Sequence, residues 1–324
     1  MFISFNQLPL YTDDFFIRDF NNLNVKDAIV IHNPAEAVVV SPVFLRSRKT
    51  LDEHIEYIRS HNIRKAYIVA DDIKFLTQCP SLEYLKVFPA ISVQNFDYSP
   101  LYEMPNLKWV ECQTTTGLND EWVATIDYSR LKGIKYLGIS HSEGHLNVNQ
   151  ASNIISLYFE FGFPNSSNLL NAIPGKKLRN FTVCQAPIQS LKGIEDAPML
   201  CRLELSYNRR LTDISALHAL SDSLSYLEID ACGRIHDFSV LKELHNLEFL
   251  ILKGSNELEN LSFLKSMPRL KYLHFSMNVK DGDLRLCERV PYVRIRNRKH
   301  YSHKDIDLPK DYTNPDELYP FDAI

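Results

Sequence analysis

A leucine pattern that returns about every 23 residues constrains this chain more than any other feature of it. The unit reads Leu200-Cys-Arg-Leu203-Glu-Leu205-Ser-Tyr-Asn208 and recurs as Leu224-Ser-Tyr-Leu227-Glu-Ile229-Asp-Ala-Cys232. It recurs again from Leu247 (with Leu250 and Leu252) and from Leu270 (with Leu273, Phe275 and Asn278). In Leu-x-Leu the two apolar side chains fall on one face of a strand and the residue between them on the other. A second pattern, spaced by three, follows each unit: Leu211, Ile214, Leu217; then Ile235, Phe238, Leu241; then Leu258, Leu261, Leu264. Residues three apart share a face of a 3-10 turn, so each unit reads as a strand and a short helical return. One such unit cannot bury its own leucines. Neighbours must stack, and the stack is a parallel sheet with one strand per unit.

Upstream the pattern weakens but continues, through units starting at Leu178, Ile154, Ile134, Leu107, Leu82 and Ile63, and Val290 opens the last. One stack of eleven irregular units then accounts for the length, with an N-terminal cap over 1–62, repeats over 63–296 and a C-terminal cap and tail over 297–324. The Leu-x-x-Leu-x-Leu-x-x-Asn/Cys unit resembles the leucine-rich repeat family. The wording Leu211-Thr-Asp-Ile-Ser-Ala-Leu217 is similar to the short, about 22-residue bacterial class typified by internalins. That resemblance implies an α/β solenoid with a curved parallel sheet on the concave face. The convex face would carry 3-10, short helical or loop returns. It implies too that Asn208 and Asn278 bond neighbouring backbone at the turn, with Cys232 filling the same position as a small buried residue. Cys112 reads as structural as well, since free cysteine is commonly buried.

Composition removes several alternatives. Lys and Arg number 36 against 40 Asp and Glu, for a net charge of −4, which argues against a dedicated nucleic-acid binder. Only 10 residues are glycine, too few for a glycine-rich phosphate-binding enzyme or a turn-dense sandwich. Six cysteines without a C-x-x-C make neither a disulfide scaffold nor a zinc module. No run approaches the ~18 apolar residues that span a bilayer. The apolar start reaches Asp13-Asp14 without a basic n-region, so it does not read as a signal peptide. The sequons at Asn165, Asn180 and Asn260 then read as background, and the expected location is cytoplasmic.

The ends carry their own signals. Thr50-Leu-Asp-Glu53 is a capping box that opens a helix running to about Arg59. Ala37–Val40 reads as a buried strand that, with 66–69, makes a β-α-β start, and the first thirty residues are expected to fold over the end of the stack. Residues 285–304 are basic and 305–324 acidic, which suggests pairing across the C-terminal cap.

Candidate sites reduce to one face. His141-Ser-Glu143-Gly-His145 superficially resembles a zinc-hydrolase motif, but those place the Glu beside the first His on a helix, whereas this segment follows a strand and contains Gly144. Catalytic, metal and cofactor residues are therefore expected to be none. The third position of the units is aromatic at Tyr84, Trp109, Tyr136, Tyr226, Phe249, Tyr272 and Tyr292, with Arg202 in the same row. Such rings bury large area at low entropic cost, which suits a protein-binding surface, or they stack to stabilise the sheet. The fifth and seventh positions add Glu111, Tyr158, Glu160, Glu204, Glu228, Asp230 and His274, with an acidic middle and a basic C-terminal end. The expectation is a non-enzymatic solenoid that holds another protein on its concave face, as an inhibitor, an adaptor or a toxin-neutralising immunity protein. An exported effector that binds host proteins and a nucleic-acid binder using 285–304 are the alternatives. Oligomeric state is left open by the sequence.

Overall fold

The computed structural model describes residues 30–31, 51–89, 93, 95–116, 122–140, 143–164 and 166–311. After a two-residue strand β1 (Val30–Ile31) and helix α1 (Leu51–Ser60), the repeat strands begin. They are β2 (Lys65–Ala70), β3 (Tyr84–Pro89), β4 (Trp109–Cys112), β5 (Tyr136–Ser140), β6 (Ser156–Glu160) and β7 (Asn180–Cys184). There follow β8 (Arg202–Ser206), β9 (Tyr226–Asp230), β10 (Phe249–Lys253), β11 (Tyr272–Phe275) and β12 (Tyr292–Ile295). Each expected unit forms its strand, and each strand opens at the unit's third residue. The chain divides into two compact units, one within Ile3–Ser156 and one within Leu157–Ile324.

In the first unit β1 to β5 pair in chain order, all parallel. α1 buries His54, Ile55 and Ile58, with Asp52 and Glu53 in its first turn and Arg59 in its last, as the helix dipole favours. Thr50 of the expected capping box, the expected strand at 37–40 and the first twenty-nine residues lie outside the described residues.

In the second unit β6 to β12 also follow chain order. Pairing keeps equivalent positions opposite one another: Leu203, Leu227, Leu250, Leu273 and Val293 form one column. Leu205, Ile229, Leu252, Phe275 and Ile295 form a second. Both columns are buried. The returns behind them are 3-10 turns, among them Ser215–Leu220, Ser239–Glu243 and Ser262–Ser266, each starting after the middle residue of the spacing-of-three pattern.

A device that was overlooked in the repeat opens these returns. The Asp213 carboxylate accepts the Ser215 N–H at 2.9 Å, Asp237 that of Ser239 at 2.8 Å, and Asn260 that of Ser262 at 2.9 Å. Asp97 with Ser99 and Asp127 with Ser129 do the same in the first unit. The side chain satisfies a donor that the short helix cannot, and the pattern Asp/Asn-x-Ser was readable at each position.

The turn after the strand is equally regular. Phe161, Gln185, Tyr207 and Ala231 each follow a strand directly, with φ between 51° and 55°. A glycine-poor chain thus makes its left-handed corners with other residues, at a steric cost that the repeat's burial has to offset. Asn208 sits behind one corner, fully buried, accepting the Ala186 N–H at 2.9 Å and donating to the Val183 carbonyl at 2.8 Å. Asn278 does not play the expected equivalent part. Its side chain bonds the Glu257 carboxylate instead, and Asn256 holds the neighbouring turn, donating to the Cys232 and Ile235 carbonyls at 3.0 and 2.7 Å. Gly254, at φ 130°, opens this corner differently and brings the next asparagine inward. Cys232 is buried, its thiol pushed up to about 11 by desolvation; Cys112 is buried within β4.

The sheet edge at β12 is closed. Val293 donates to the Pro309 carbonyl, Asp311 to that of Pro291, and the Asp305 carboxylate takes the Ile295 N–H at 2.7 Å. Covering an edge strand in this way blocks pairing with another chain. Among the described residues the basic and acidic end blocks do not ion-pair across: His303 pairs with Glu288 and Lys310 with Asp305, each within its own block.

Leu227→Ala and Leu250→Ala should each cost ~2–5 kcal/mol, because both leave a cavity in one continuous column. Urea melts should also show the double variant departing from additivity, since the two are register partners. Asn256→Ala should lose ~1–3 kcal/mol by orphaning two buried carbonyls, whereas Asn278→Ala should cost well under that on the same melts.

Candidate binding face

The face of each sheet turned away from the returns carries rows three, five and seven of the units. Row three in the second unit is a continuous stack. Tyr226 lies 6.0 Å from Phe249, Phe249 lies 6.1 Å from Tyr272, and Tyr272 lies 5.1 Å from Tyr292, centroid to centroid. A cation closes each end: the Arg202 guanidinium sits 3.8 Å from the Tyr226 ring centroid and the Lys310 ammonium 5.4 Å from that of Tyr292. The stack leaves little ring to touch, with Tyr226 8%, Phe249 3% and Tyr272 4% exposed. Trp109 is wholly buried in the first unit and Tyr84 6% exposed, while Tyr136, Tyr158 and Tyr292 remain half-buried. Of the two readings of row three, binding surface or stack, burial favours the stack: among the described residues the row is mostly interior, and in the second unit the rings spend their faces on one another and on the capping cations.

The charged residues expected to flank that patch are also brought into pairs. Arg202 grips Glu204 through Nε and Nη2 at 2.9 and 2.7 Å, both side chains largely buried. The Tyr226 hydroxyl donates to Glu228 at 2.9 Å, and Lys253 donates to the other oxygen of Glu228 at 2.6 Å while lying 3.6 Å from Asp230. In the first unit Glu111 pairs with Lys86 at 2.7 Å, its register partner on the preceding strand. Burial alone would raise the Glu228 carboxyl, but Lys253 and the Tyr226 hydroxyl more than offset that and hold it below the usual carboxylate range. Glu160 lies half-buried at the end of β6. A lysine in one unit facing an acid in the next was a readable signal, and it was missed.

Toward β12 the acids run out. His274 is half-buried between Ile251 and Arg294 in register. Desolvation, Lys253 and Arg294 together depress its imidazole to about 4, so it is neutral at pH 7. Arg294 and Arg296 are exposed and, among the described residues, make no ion pair.

Of the histidine motif, His145 serves packing. His141 lies outside the described residues. The two ring nitrogens of His145 bond the Tyr128 hydroxyl at 2.9 Å, and the Ser140 carbonyl and Thr114 hydroxyl at 3.1 Å each, which pins the loop onto a wholly buried tyrosine. Among the described residues no group of three or more His, Cys, Asp or Glu is placed to hold a metal ion. No helix among them is long and apolar enough to cross a membrane.

Two titrations on this face act in the same direction. The His274 pKa is lower folded than its ordinary 6.5, so the unfolded chain binds more protons between about 4 and 6.5 and stability rises with pH across that window. Glu228 is held low, so its contribution is present above the ordinary carboxylate pKa and is lost as pH falls through its folded value. Equilibrium melts of His274→Gln should therefore show a flatter pH dependence between 4 and 6.5, with the loss at lower pH retained.

No protein-family model matches the chain, and no curated protein matches it. Among solved structures it is similar to an internalin of Listeria monocytogenes, at 20% identity over 76% of this chain and 72% of that one, with a TM-score of 0.50. It is also similar to an internalin C2 of the same organism, at 20% identity over 55% of this chain and 74% of that one, with a TM-score of 0.39. The repeat units, the parallel register and this likeness agree: the fold is an internalin-like leucine-rich-repeat solenoid.

Proposed function

We propose that the protein is a non-enzymatic binding protein that holds another protein against its strand face. The observation that carries this reading is the rigid array of partly exposed side chains in rows five and seven of the second unit. There Ile251, His274 and Arg294 stand in register on adjacent strands, with Lys253 two residues past Ile251, beside the ring stack. A preorganised surface of this kind loses little entropy on binding. Leucine-rich-repeat folds suit such a role, because stacked units make an extended concave surface with no enclosed site. Inhibitor, adaptor and immunity protein remain the sub-cases, on fold analogy alone. A cytoplasmic location goes with this reading, supported by six free thiols, four of them buried.

Photocrosslinking tests the face. A benzophenone side chain placed at Ile251 should capture a partner from native lysate, and the same group at Lys265, on a return, should not. The captured partner, once purified, should bind Ile251→Lys at least tenfold more weakly, chiefly through faster dissociation, with folding unchanged. Equal crosslinking from both positions, or unaltered affinity of the Ile251 variant, would remove the strand face as the site.

A further inference from the structure

On the strand face of the second unit, among the described residues, the cations without an acid partner lie at one end. Rows five and seven were expected to run from acid to base, but Glu204, Glu228 and Asp230 are taken up within the fold. Glu204 is held by Arg202, Glu228 by Lys253 and the Tyr226 hydroxyl, and Asp230 lies 3.6 Å from the same Lys253. Past Lys253 the sequence of side chains is His274, then Arg294 and Arg296 on and just beyond β12. Both arginines are exposed, and no carboxylate among the described residues pairs with either. Asp305, an acid on the adjoining segment that acts on His274, is committed to the Ile295 N–H and to Lys310.

We propose that this end of the strand face, centred on Arg294 and Arg296 with His274 beside them, receives an acidic segment of the partner protein and takes its carboxylates. The proposal rests on the strand-face reading above and assigns its partner's chemistry. Guanidinium groups bind carboxylates through two parallel N–H donors, and two such groups at the end of one strand suit successive acidic residues. The edge of β12 is already covered by residues 309–311, so the partner cannot add a strand and must be read through side chains. Single-stranded nucleic acid is the other polyanion to weigh. Such strands are commonly held by stacking bases on ring faces, and here Tyr272 and Tyr292 are stacked on each other with Lys310 over the outer ring. A protein acid needs no ring face.

The site also makes a proton-linked prediction. His274 faces Lys253 on β10, Arg294 on β12, Glu228 on β9 and Asp305 beyond β12, and the cations dominate. A carboxylate seated at Arg294 would oppose those cations and raise the imidazole pKa, so binding takes up a proton and tightens as pH falls from 7.5 toward 5.5.

The test uses the full chain and a fluorescent ten-residue oligoglutamate peptide, followed by anisotropy at near-physiological salt, with a ten-residue oligothymidylate of the same nominal charge beside it. Expected are saturable binding of the peptide, at least tenfold weaker in Arg294→Glu/Arg296→Glu and unchanged in Lys265→Glu. A several-fold gain between pH 7.5 and 5.5 should disappear in His274→Gln. Peptide affinity equal in the double arginine variant and the parent overturns the proposal, and oligothymidylate binding more tightly than the peptide overturns it in favour of nucleic acid. The crosslinked partner separates the two levels of inference. If it still binds Arg294→Glu/Arg296→Glu normally but loses affinity for Ile251→Lys, the strand face stands and the acidic docking fails. If neither variant affects it, both fail.

Discussion

Everything in this molecule depends on equivalent leucines lying directly over one another. A strand of four or five residues has no stability alone, and a single repeat has no inside. Parallel pairing without slippage puts Leu203 against Leu227 and Leu227 against Leu250, so burial is shared between neighbours. A one-residue slip would turn every leucine of that strand to the other face and every ring of row three into the core. Register is therefore the quantity the sequence must specify most strongly, and the turn machinery specifies it again. The left-handed corners after β6 to β9, the buried Asn208 and Asn256, and the Asp/Asn-x-Ser start of five of the returns help to fix where the neighbouring strands begin.

Row three follows from that register. Once Arg202, Tyr226, Phe249, Tyr272 and Tyr292 are opposite one another, strand spacing of ~4.8 Å leaves no room for a partner between the rings. They tilt and pack, with interplanar angles from 5° to 31°. A cation at each end completes the stack, each contact worth roughly 0.5–2 kcal/mol. The stack stiffens the sheet on the side opposite the leucine columns. The side chains of rows five and seven then stand beside that stack, on a sheet whose other face is the leucine core.

The architecture was legible to an unusual depth. The starts of all eleven repeat strands could be read because Leu-x-x-Leu-x-Leu is the period of a stacked strand, and the 3-10 returns could be read from spacing by three; the two-residue β1 (Val30–Ile31) was not read. The candidate site was legible in position but not in burial. Trp109 and Tyr226 occupy the row expected, yet whether a side chain in that row is touched by solvent depends on its neighbours across the sheet. A sequence read unit by unit does not contain that information. The role of Asn256 was hidden for a related reason, since it sits one place later in its unit than Asn208 does, past Gly254. The acids were the plainest miss. Their partners Lys86 and Lys253 stand one unit away in the repeat.

Those pairings change the electrostatic character of the face. Read as isolated residues, rows five and seven of the second unit form a dipole, acid then base. With Glu204 and Glu228 each bonded to a cation, the acidic half presents nearly neutral ion pairs whose desolvation has already been met inside the fold. Lys253 marks the change, because it is the last cation of rows five and seven that is paired with acids. Beyond it the cations outweigh the acids, and their field acts with burial on a histidine that they keep neutral. The face therefore shows a partner a quiet surface at one end and an uncompensated positive one at the other. Steering and orientation of an incoming protein would then be set by the last strands, while the middle of the sheet supplies area.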